Sequence, residues 1–245
     1  MLKYFNKLEV TRDRIVLPGC KSSLRIVAVS DLHLPCLYSS SVDFVDVINN
    51  EEADIFIVAG DSIDKKGNEK YISMLQQVHA NLTKYAVLGN WEYKAKVDLQ
   101  RLKSEFEKAG ISLLINDFSQ MDGVFVLGLD DFVLGKPDIT LLDHRNHNQS
   151  PVILISHCPQ IFDSIPDSVS NRIIAISGHT HGGQIAPFGQ ILLTPQGSGS
   201  YKRGWYHKKN QSMYVMRGIG TSDFPLRIGA RPEILVLDIV GSNNS

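Results

Sequence analysis

The sequence predicts a layered α/β fold, and three observations support that prediction. Five short apolar runs, rich in β-branched residues, have the length and composition of buried strands. In the first half of the chain they alternate with segments whose apolar residues recur every three or four positions, as in helices with one buried face. Each run ends in a polar residue able to bind a metal ion. Because ligands gather at the carboxyl ends of strands buried on both faces, we expect the five ends to converge on one site.

The residues at the ends of the five runs have the chemistry of a hydrolytic metal centre. In chain order they are Asp31 and His33, Asp61, Asn90, His157, and finally His179 and His181. Imidazole combined with carboxylate and amide oxygen, without thiolate, is typical of such centres. A glycine precedes Asp61, Asn90 and His179, where we expect the backbone to turn sharply beside the site.

The segments between the runs predict three helices, over Ser41–Asn50, Lys70–Ala80 and Val97–Ala109. Gly110 suits a helix C-terminus, so the first half reads βαβαβα. Further along, the pattern predicts strands with fewer helices, over 111–115, 124–129, 191–194, 213–216 and 234–238. The stretch 197–200 is predicted to be a surface loop, and residues 1–245 are interpreted as a single domain.

Composition and charge exclude several classes of protein. With 43% hydrophobic and 21% charged residues in 245, and a net charge of −1, the chain is an ordinary globular protein without general attraction to nucleic acid. No segment is apolar for long enough to span a bilayer, and 1–18 predicts an edge strand or short helix rather than a membrane contact. Three scattered cysteines favour a reducing compartment, so we expect a cytoplasmic location with at most peripheral contact to the inner membrane.

The polar residues, in this order, resemble the signature of the calcineurin-like metallophosphoesterase superfamily. The matching motifs are Asp31-Leu-His33, Gly60-Asp61, Gly89-Asn90, His157 and Gly178-His179-Thr180-His181. The resemblance covers almost the whole chain. It implies a two-sheet β-sandwich flanked by helices, with a pair of metals at the strand ends.

The resemblance also implies a role for each motif residue. Asp31, His33 and His181 would hold the first metal, Asn90, His157 and His179 the second, and Asp61 would bridge both. Two metals so placed can share a hydroxide nucleophile and clamp the phosphoryl oxygens, which makes Asp61, Asn90 and His179 the candidate catalytic residues. Nitrogen and oxygen ligands fit Mn²⁺, Fe or Zn²⁺, and the sequence does not choose among these divalent metal ions.

One residue departs from the family pattern. The family usually has His after the motif Asn, near the leaving group, whereas this chain has Trp91. Indole has no titratable proton, and positioned acid–base groups typically contribute about 10²–10⁴-fold, so we expect slow hydrolysis of alkyl monoesters and a preference for diesters or pyrophosphates. The alternative is that Glu92, His144, His147 or His207 replaces the missing acid. The tryptophan itself either packs beside the site or stacks on a substrate ring.

The C-terminal half resembles a bacterial branch of the superfamily. The segments His181–Gln184, Arg217–Gly220 and Arg231–Glu233 carry this likeness. That branch includes phosphodiesterases and an enzyme that cleaves UDP-2,3-diacylglucosamine during lipid A synthesis. In this context Arg217, Arg227 and Arg231 are candidates to bind the substrate phosphate, and structural salt bridges are the alternative for each.

The sequence as a whole therefore favours a dinuclear metal-dependent hydrolase of phosphodiester or pyrophosphate bonds, with a UDP-linked lipid or sugar as the favoured substrate. A general phosphatase or nuclease is the second interpretation, and a metal-binding protein-interaction scaffold with little activity is the third. Cys158, next to His157, is expected to be a small buried residue rather than a thiolate ligand.

Overall fold

Two six-stranded sheets dominate the computed structural model, which describes residues 8–34, 44–121, 123–143, 150–222 and 225–242. The strands are β1 (Glu9–Pro18), β2 (Leu24–Val29), β3 (Ile55–Ala59), β4 (Thr83–Val87), β5 (Ser112–Leu113), β6 (Asp117–Met121), β7 (Val124–Gly128), β8 (Val152–Ile155), β9 (Ile173–Ser177), β10 (Gly204–Lys208), β11 (Gln211–Val215) and β12 (Glu233–Ser242). The first sheet has the order β1-β12-β2-β3-β4-β5 and the second β10-β11-β9-β8-β7-β6. This is the predicted two-sheet α/β sandwich.

Parallel pairing brings the ends of the metal-motif strands together. In the first sheet β2, β3, β4 and β5 are parallel neighbours, and in the second β7, β8, β9 and β11 are. Antiparallel β6 and β10 form the edges of the second sheet, while β12 separates β1 from β2 in the first. The carboxyl ends of β2, β3 and β4 therefore open on one edge of their sheet, and those of β8 and β9 on one edge of theirs.

Burial on both faces explains the unbroken apolar runs. Alternate residues of the central strands, such as Ile57 in β3 and Ile153 in β8, pack in the layer between the sheets. The intervening residues, such as Val58, pack outward under the helices, and Leu154 packs under the segments that cover the second sheet. A strand enclosed in this way has no polar face, so the period-two alternation of an exposed sheet is absent.

The helices confirm two of the three predictions and correct the third. They are α1 (Phe44–Asn49), α2 (Asn90–Lys94) and α3 (Leu99–Lys108). The prediction over 97–109 corresponds to α3, which begins after Asp98, and that over 41–50 corresponds to α1, although 41–43 lie outside the described residues. The prediction over 70–80 was an α-helix, but Glu69–Gln77 is a 3₁₀ helix. Its buried residues Ile72 and Leu75 are three positions apart, as is Val78, the buried residue that follows the helix, and this spacing matches three residues per turn.

Other predictions for the irregular part of the chain also need correction. The segment 191–194 is not a strand but an exposed loop. In the stretch predicted as a surface loop, Gly197 and Ser198 are buried, and Gly197 lies against His179.

The described part of the N-terminal segment forms the edge strand β1, which is one of the two structures predicted for it. Among the described residues, no helix has the length and apolar character needed to cross a membrane.

Candidate metal centre

The seven predicted ligands lie together at the strand ends, and each is buried, with at most 6% of its surface exposed. They follow β2, β3, β4, β8 and β9, so both sheets contribute. Six of them form two groups in which the possible ligand atoms lie within 4.8 Å of one another; these groups are Asp31 with His33 and His181, and Asp61 with His157 and His179. Each group offers one carboxylate and two imidazoles.

Asp61 faces both groups. Its Oδ2 lies 3.1 Å from Nε2 of His157 in its own group and 3.9 Å from Nε2 of His33 in the other. A second link joins the groups through the backbone, because the N–H of His179 donates to both carboxylate oxygens of Asp31 at 3.1 Å. The two groups therefore form one continuous cluster, with Asp61 in a position that suits a bridging ligand.

Hydrogen bonds to backbone carbonyls orient two of the imidazoles. Nδ1 of His157 lies 2.9 Å from the carbonyl oxygen of Ala59, and Nε2 of His179 lies 2.7 Å from that of Gln196. Donation through these nitrogens leaves Nε2 of His157 and Nδ1 of His179 as acceptors, and the two are 3.1 Å apart. Fixing one ring nitrogen by a carbonyl so that the other can bind metal is the usual arrangement of metal-binding histidine.

The protonation states also suit cation binding. Burial lowers the pKa of His33, His179 and His181, which keeps these imidazoles neutral with a lone pair available. Burial opposes charge on His157 too, but the carboxylate of Asp61 outweighs it and raises the pKa of His157 to about 10. A divalent cation opposite Asp61 would take the place of that proton, as metals do when they bind histidine.

Asn90 provides an independent indication of a cation. Its side chain is 3% exposed, and its Oδ1 has no hydrogen-bond partner among the described residues. A buried carbonyl oxygen without a partner is unfavourable by about 1–3 kcal/mol and calls for an explanation. A metal ion would satisfy it. The residues present therefore fit a pair of divalent cations with nitrogen and oxygen ligands.

The backbone at the site is strained. Five of the seven ligands have a positive φ, namely Asp31 (52°), His33 (46°), Asp61 (52°), His179 (72°) and His181 (50°). This left-handed region is unfavourable for residues other than glycine by about 1–3 kcal/mol each, and such residues cluster at functional sites. Backbone hydrogen bonds from His33 to Asp61 and from Gly220 to Asp31 hold the turns in place.

The glycines before the ligands have two different physical reasons. Gly60 has a φ of +81°, and a Cβ there would lie 2.6 Å from the His157 ring, so both the turn and the space require glycine. Gly89 has an ordinary extended backbone, but a Cβ would collide with the carboxylate of Asp61. The predicted sharp turn is therefore confirmed at Gly60, whereas Gly89 is required by close approach.

A cavity of about 360 Å³ opens beside the cluster. The three candidate catalytic residues Asp61, Asn90 and His179 line it, together with Trp91, Lys94, Thr180, His181, Gly183, Gln184, Leu193, Thr194, Pro195 and Ser222. Predicted ligand, aromatic, cationic and apolar side chains thus share one cavity, which can hold a charged group at the cluster and a ring or chain against Trp91, Leu193 and Pro195.

Trp91 packs beside the site and also lines the cavity, so both roles considered for it are compatible with its position. Its ring meets His33 edge to face at a centroid distance of 4.8 Å, and its backbone N–H donates to Oδ1 of Asp61 at 2.8 Å. Nζ of Lys94 lies 5.5 Å from the ring centroid. Lys94 is not among the predicted site residues; its spacing of three from Trp91 on a helix was the available signal.

Glu92 and His207 are not placed to replace the missing acid. The carboxylate of Glu92 is 1% exposed and accepts the backbone N–H groups of Ser62 and Gly89, while burial raises its pKa to about 7. It holds two ligand-bearing turns together rather than facing the cavity. His207 lies on β10, 3.0 Å from Oγ of Ser212, and does not line the cavity. The other two candidates, His144 and His147, lie outside the described residues.

The three arginines predicted as substrate ligands are not among the residues that line the cavity. Arg217 pairs with Glu233 at 2.8 Å and Glu9 at 3.1 Å, which is the structural alternative. Arg227 is buried, donates to backbone carbonyls including that of His181, and has a guanidinium nitrogen 3.1 Å from Nδ1 of His181. It positions a ligand rather than facing the cavity. Arg231 is exposed and is not among the cavity-lining residues.

Cys158 has the role expected of it. Its side chain is fully buried, and Sγ donates to the carboxylate of Asp131 at 3.2 Å. Burial, with the charge of Asp131, raises the pKa of the thiol. The group stays protonated and is not a metal ligand.

Comparisons with known proteins agree with this geometry. The sequence model of the calcineurin-like phosphoesterase family matches residues 24–183. The chain is 30% identical over 241 residues to the uncharacterized metallophosphoesterase YkuE of Bacillus subtilis, covering 93% of this chain and 83% of YkuE. It is 28% identical over 243 residues to an uncharacterized metallophosphoesterase of Helicobacter pylori; the match covers 94% of this chain but spans 64% of that protein. The protein TT1561 of Thermus thermophilus has a similar fold, with a TM-score of 0.50 over 80% of this chain and 90% of that one, at 14% identity. The chain belongs to the calcineurin-like phosphoesterase family and is a metal-dependent phosphoester hydrolase.

Proposed function

We propose that this chain hydrolyses a phosphodiester or pyrophosphate bond at a two-metal site. The observation that carries the proposal is the pair of buried Asp/His groups that meet at Asp61 beside a cavity. The proposed ligands are Asp31, His33 and His181 for one ion, Asn90, His157 and His179 for the other, and Asp61 for both. Bound there, two divalent cations would supply positive charge for the phosphoryl oxygens and lower the pKa of a bound water.

The cavity offers little acid catalysis to a leaving group. Apart from members of the two ligand groups, Lys94 is the single titratable side chain among the described residues that line it. Trp91 occupies the position after the motif Asn and has no proton to give. The ammonium group of Lys94 can stabilise negative charge that develops on a leaving oxygen or on the phosphoryl group. Such a site favours substrates whose leaving group is already stable as an anion, which a nucleoside phosphate is.

The cavity wall also supports a nucleotide-linked substrate. Trp91, Leu193 and Pro195 give the cavity an apolar part beside the predicted metal ligands. A nucleobase or an apolar chain fits such a wall, while its phosphates face the cluster. Together with the branch likeness of the C-terminal segments, this favours a UDP-linked lipid or sugar such as UDP-2,3-diacylglucosamine.

Replacing Asn90 with Ala tests the metal site, since it removes the single amide ligand. We expect hydrolysis of an activated aryl phosphodiester in Mn²⁺ to fall by at least about 10²-fold and to be absent in chelator, because the metal supplies several kcal/mol of charge stabilisation. Asn81→Ala is the matched control, because Asn81 is exposed and its amide bonds to Asp54. An Asn90→Ala enzyme with wild-type turnover and metal content would contradict the ligand assignment.

The same assay separates the alternative functions. The aryl monoester is measured beside the diester at equal metal concentration. Faster turnover of the monoester would favour a general phosphatase, and cleavage of oligonucleotides would favour a nuclease. Two bound metals without turnover of any phosphoester class would favour the protein-interaction scaffold.

Replacing Lys94 with Ala tests its proposed role toward the substrate. We expect kcat/KM for the aryl diester to fall about tenfold, because a charge-assisted contact is worth about 1.5–3 kcal/mol and solvent weakens it at the exposed Lys94. Lys94→Arg should keep most of the activity. The control is Lys96→Ala, which removes the same charge two positions further along the chain at a residue that is equally exposed but does not line the cavity. Equal losses of kcat/KM in Lys94→Ala and Lys96→Ala would show that only the net charge of the protein matters, and would contradict a contact between Lys94 and the substrate.

Two broader expectations remain part of the proposal. The three cysteines are scattered along the chain and odd in number, which supports a reducing compartment and hence a reaction in the cytoplasm. One apolar layer joins the two sheets along their length, which supports the interpretation of residues 1–245 as one domain.

A further inference from the structure

A cluster of exposed apolar side chains surrounds one side of the cavity. Of the eleven large apolar residues that are exposed in the described part of the chain, six belong to it: Ile185, Phe188, Leu192, Leu193, Leu226 and Ile228. We call these six residues the apolar lip. Isolated exposed apolar residues are ordinary, but a contiguous group of this kind marks an interaction surface.

The lip is built from two neighbouring segments. A parallel bridge joins Ile185 to Ile228, and hydrogen bonds run from the N–H of Ala186 to the carbonyl of Ile228 and from the N–H of Ile228 to the carbonyl of Gln184. The lip is therefore one surface rather than two separate loops. Leu193 belongs both to the lip and to the cavity wall, so the surface ends at the site.

The most exposed residues of the lip lie in or near a tight turn with an unfavourable backbone conformation. The exposed fractions of Phe188, Leu193 and Leu192 are 102%, 85% and 70%. Phe188 sits in the tight turn Pro187–Gly189 with a φ of +55°, a conformation that is unfavourable for an aromatic residue. The strain is not offset by burial of the ring. A turn that holds a bulky apolar side chain in water is expected where that side chain meets something apolar.

Basic residues flank the lip. The guanidinium of Arg203 donates to the carbonyls of Gly189 and Gly229, one in each segment, and Nζ of Lys202 donates to the carbonyl of Ile191. Arg231 is exposed just beyond the second segment. Lys202, Arg203 and Arg231 supply the positive charge at the lip, because the other Lys and Arg of 182–232 are buried or paired with Asp167, Glu9 and Glu233. The lip therefore combines apolar side chains with a locally positive surface.

We propose that the apolar lip docks on the surface of a bilayer that contains anionic lipids. Bulky apolar tips beside Lys and Arg match the two layers of such a surface, with acyl chains beneath negatively charged headgroups. Docking in this way places the cavity mouth, at Leu193, against the headgroup region. The proposal concerns where the enzyme works and holds whichever phosphoester it cleaves.

Sedimentation with lipid vesicles tests the docking directly. We expect the full chain to bind vesicles of equal parts phosphatidylcholine and phosphatidylglycerol, and to bind pure phosphatidylcholine vesicles at least about tenfold more weakly. The double variant Phe188→Ser/Leu192→Ser should lose about tenfold or more of the binding to the mixed vesicles. Neither residue lines the cavity, so hydrolysis of a soluble aryl diester should be unchanged.

A matched variant and a measurement of mass complete the test. Leu82→Ser removes an apolar side chain that is 55% exposed elsewhere, and it should bind vesicles like the wild type. No binding to the mixed vesicles, or equal losses in the lip and Leu82 variants, would overturn the proposal. So would a dimer, seen by light scattering without lipid, that Phe188→Ser/Leu192→Ser converts to a monomer, because a second copy of the chain would then occupy the lip. Since the readout is binding, failure here is distinct from failure of the proposed hydrolysis.

Discussion

Replacing Asp61 with Asn is expected to lower kcat/KM for an aryl phosphodiester by at least about 10³-fold, the largest effect of any single change at the site. The reason is its position. Asp61 faces His157 and His33 at once, and its other oxygen accepts the N–H of Trp91. The amide keeps the shape but loses the charge that both ligand groups share. Elemental analysis should find fewer bound metals per chain than in the wild type.

The control for this change is Asp64→Asn, three residues further along. Asp64 is also buried, but its carboxylate accepts the backbone N–H of Lys66 and takes no part in the cluster. Its removal should leave metal content and kcat/KM within a few-fold of the wild type. Circular dichroism and thermal unfolding of both metal-free variants show whether they fold. A folded Asp61→Asn protein with two metals and normal turnover would rule out the bridging role.

Much of the fold was predictable because the central strands are buried on both faces. Runs such as Ile55–Ala59 and Ile173–Ser177 are apolar throughout, so they are easily recognised as buried strands, and the candidate metal ligands follow directly after them. Irregular segments gave weaker signals. The apolar residues of 191–194 looked like a strand, yet Leu192 and Leu193 are exposed in a loop, because local composition does not reveal what a segment packs against.

The convergence of the candidate ligands was predictable from the sequence, but their surroundings were not. Residue type and order along the chain were enough to place Asp31 and Asp61 together, since strand ends converge in a parallel sheet. Neither the positive φ of these residues nor the orphaned Oδ1 of Asn90 has a sequence signature. For the arginines, the residue type and position suggested a role that their contacts in the fold do not support. Arg217 and Arg227 look like phosphate ligands in the sequence, whereas long-range partners such as Glu9 and His181 decide what they do.

Replacing Trp91 with His is expected to raise hydrolysis of an alkyl phosphomonoester about 10²-fold, because a positioned acid contributes about 10²–10⁴-fold. The backbone N–H of residue 91 donates to Asp61, and its ring contacts His33 beside the cavity, so an imidazole there starts close to the cluster. The gain should be small for an activated aryl diester, whose leaving group needs no proton. The ratio of alkyl to aryl turnover is therefore the measurement.

The pH profile of Trp91→His identifies the new group. An acid works only while it is protonated, so the added activity should decline as the pH rises through the pKa of the new imidazole, about 6.5 if unperturbed. Trp91→Phe is the matched control, since it keeps an aromatic ring against His33 but supplies no proton. It should show neither the increase in alkyl monoester hydrolysis nor the decline of activity with rising pH. If Trp91→His folds, holds two metals and leaves the alkyl-to-aryl ratio unchanged, the tryptophan does not mark a missing acid. The preference for diesters would then have to come from the shape of the cavity, with Lys94 and Leu193 as the first residues to change.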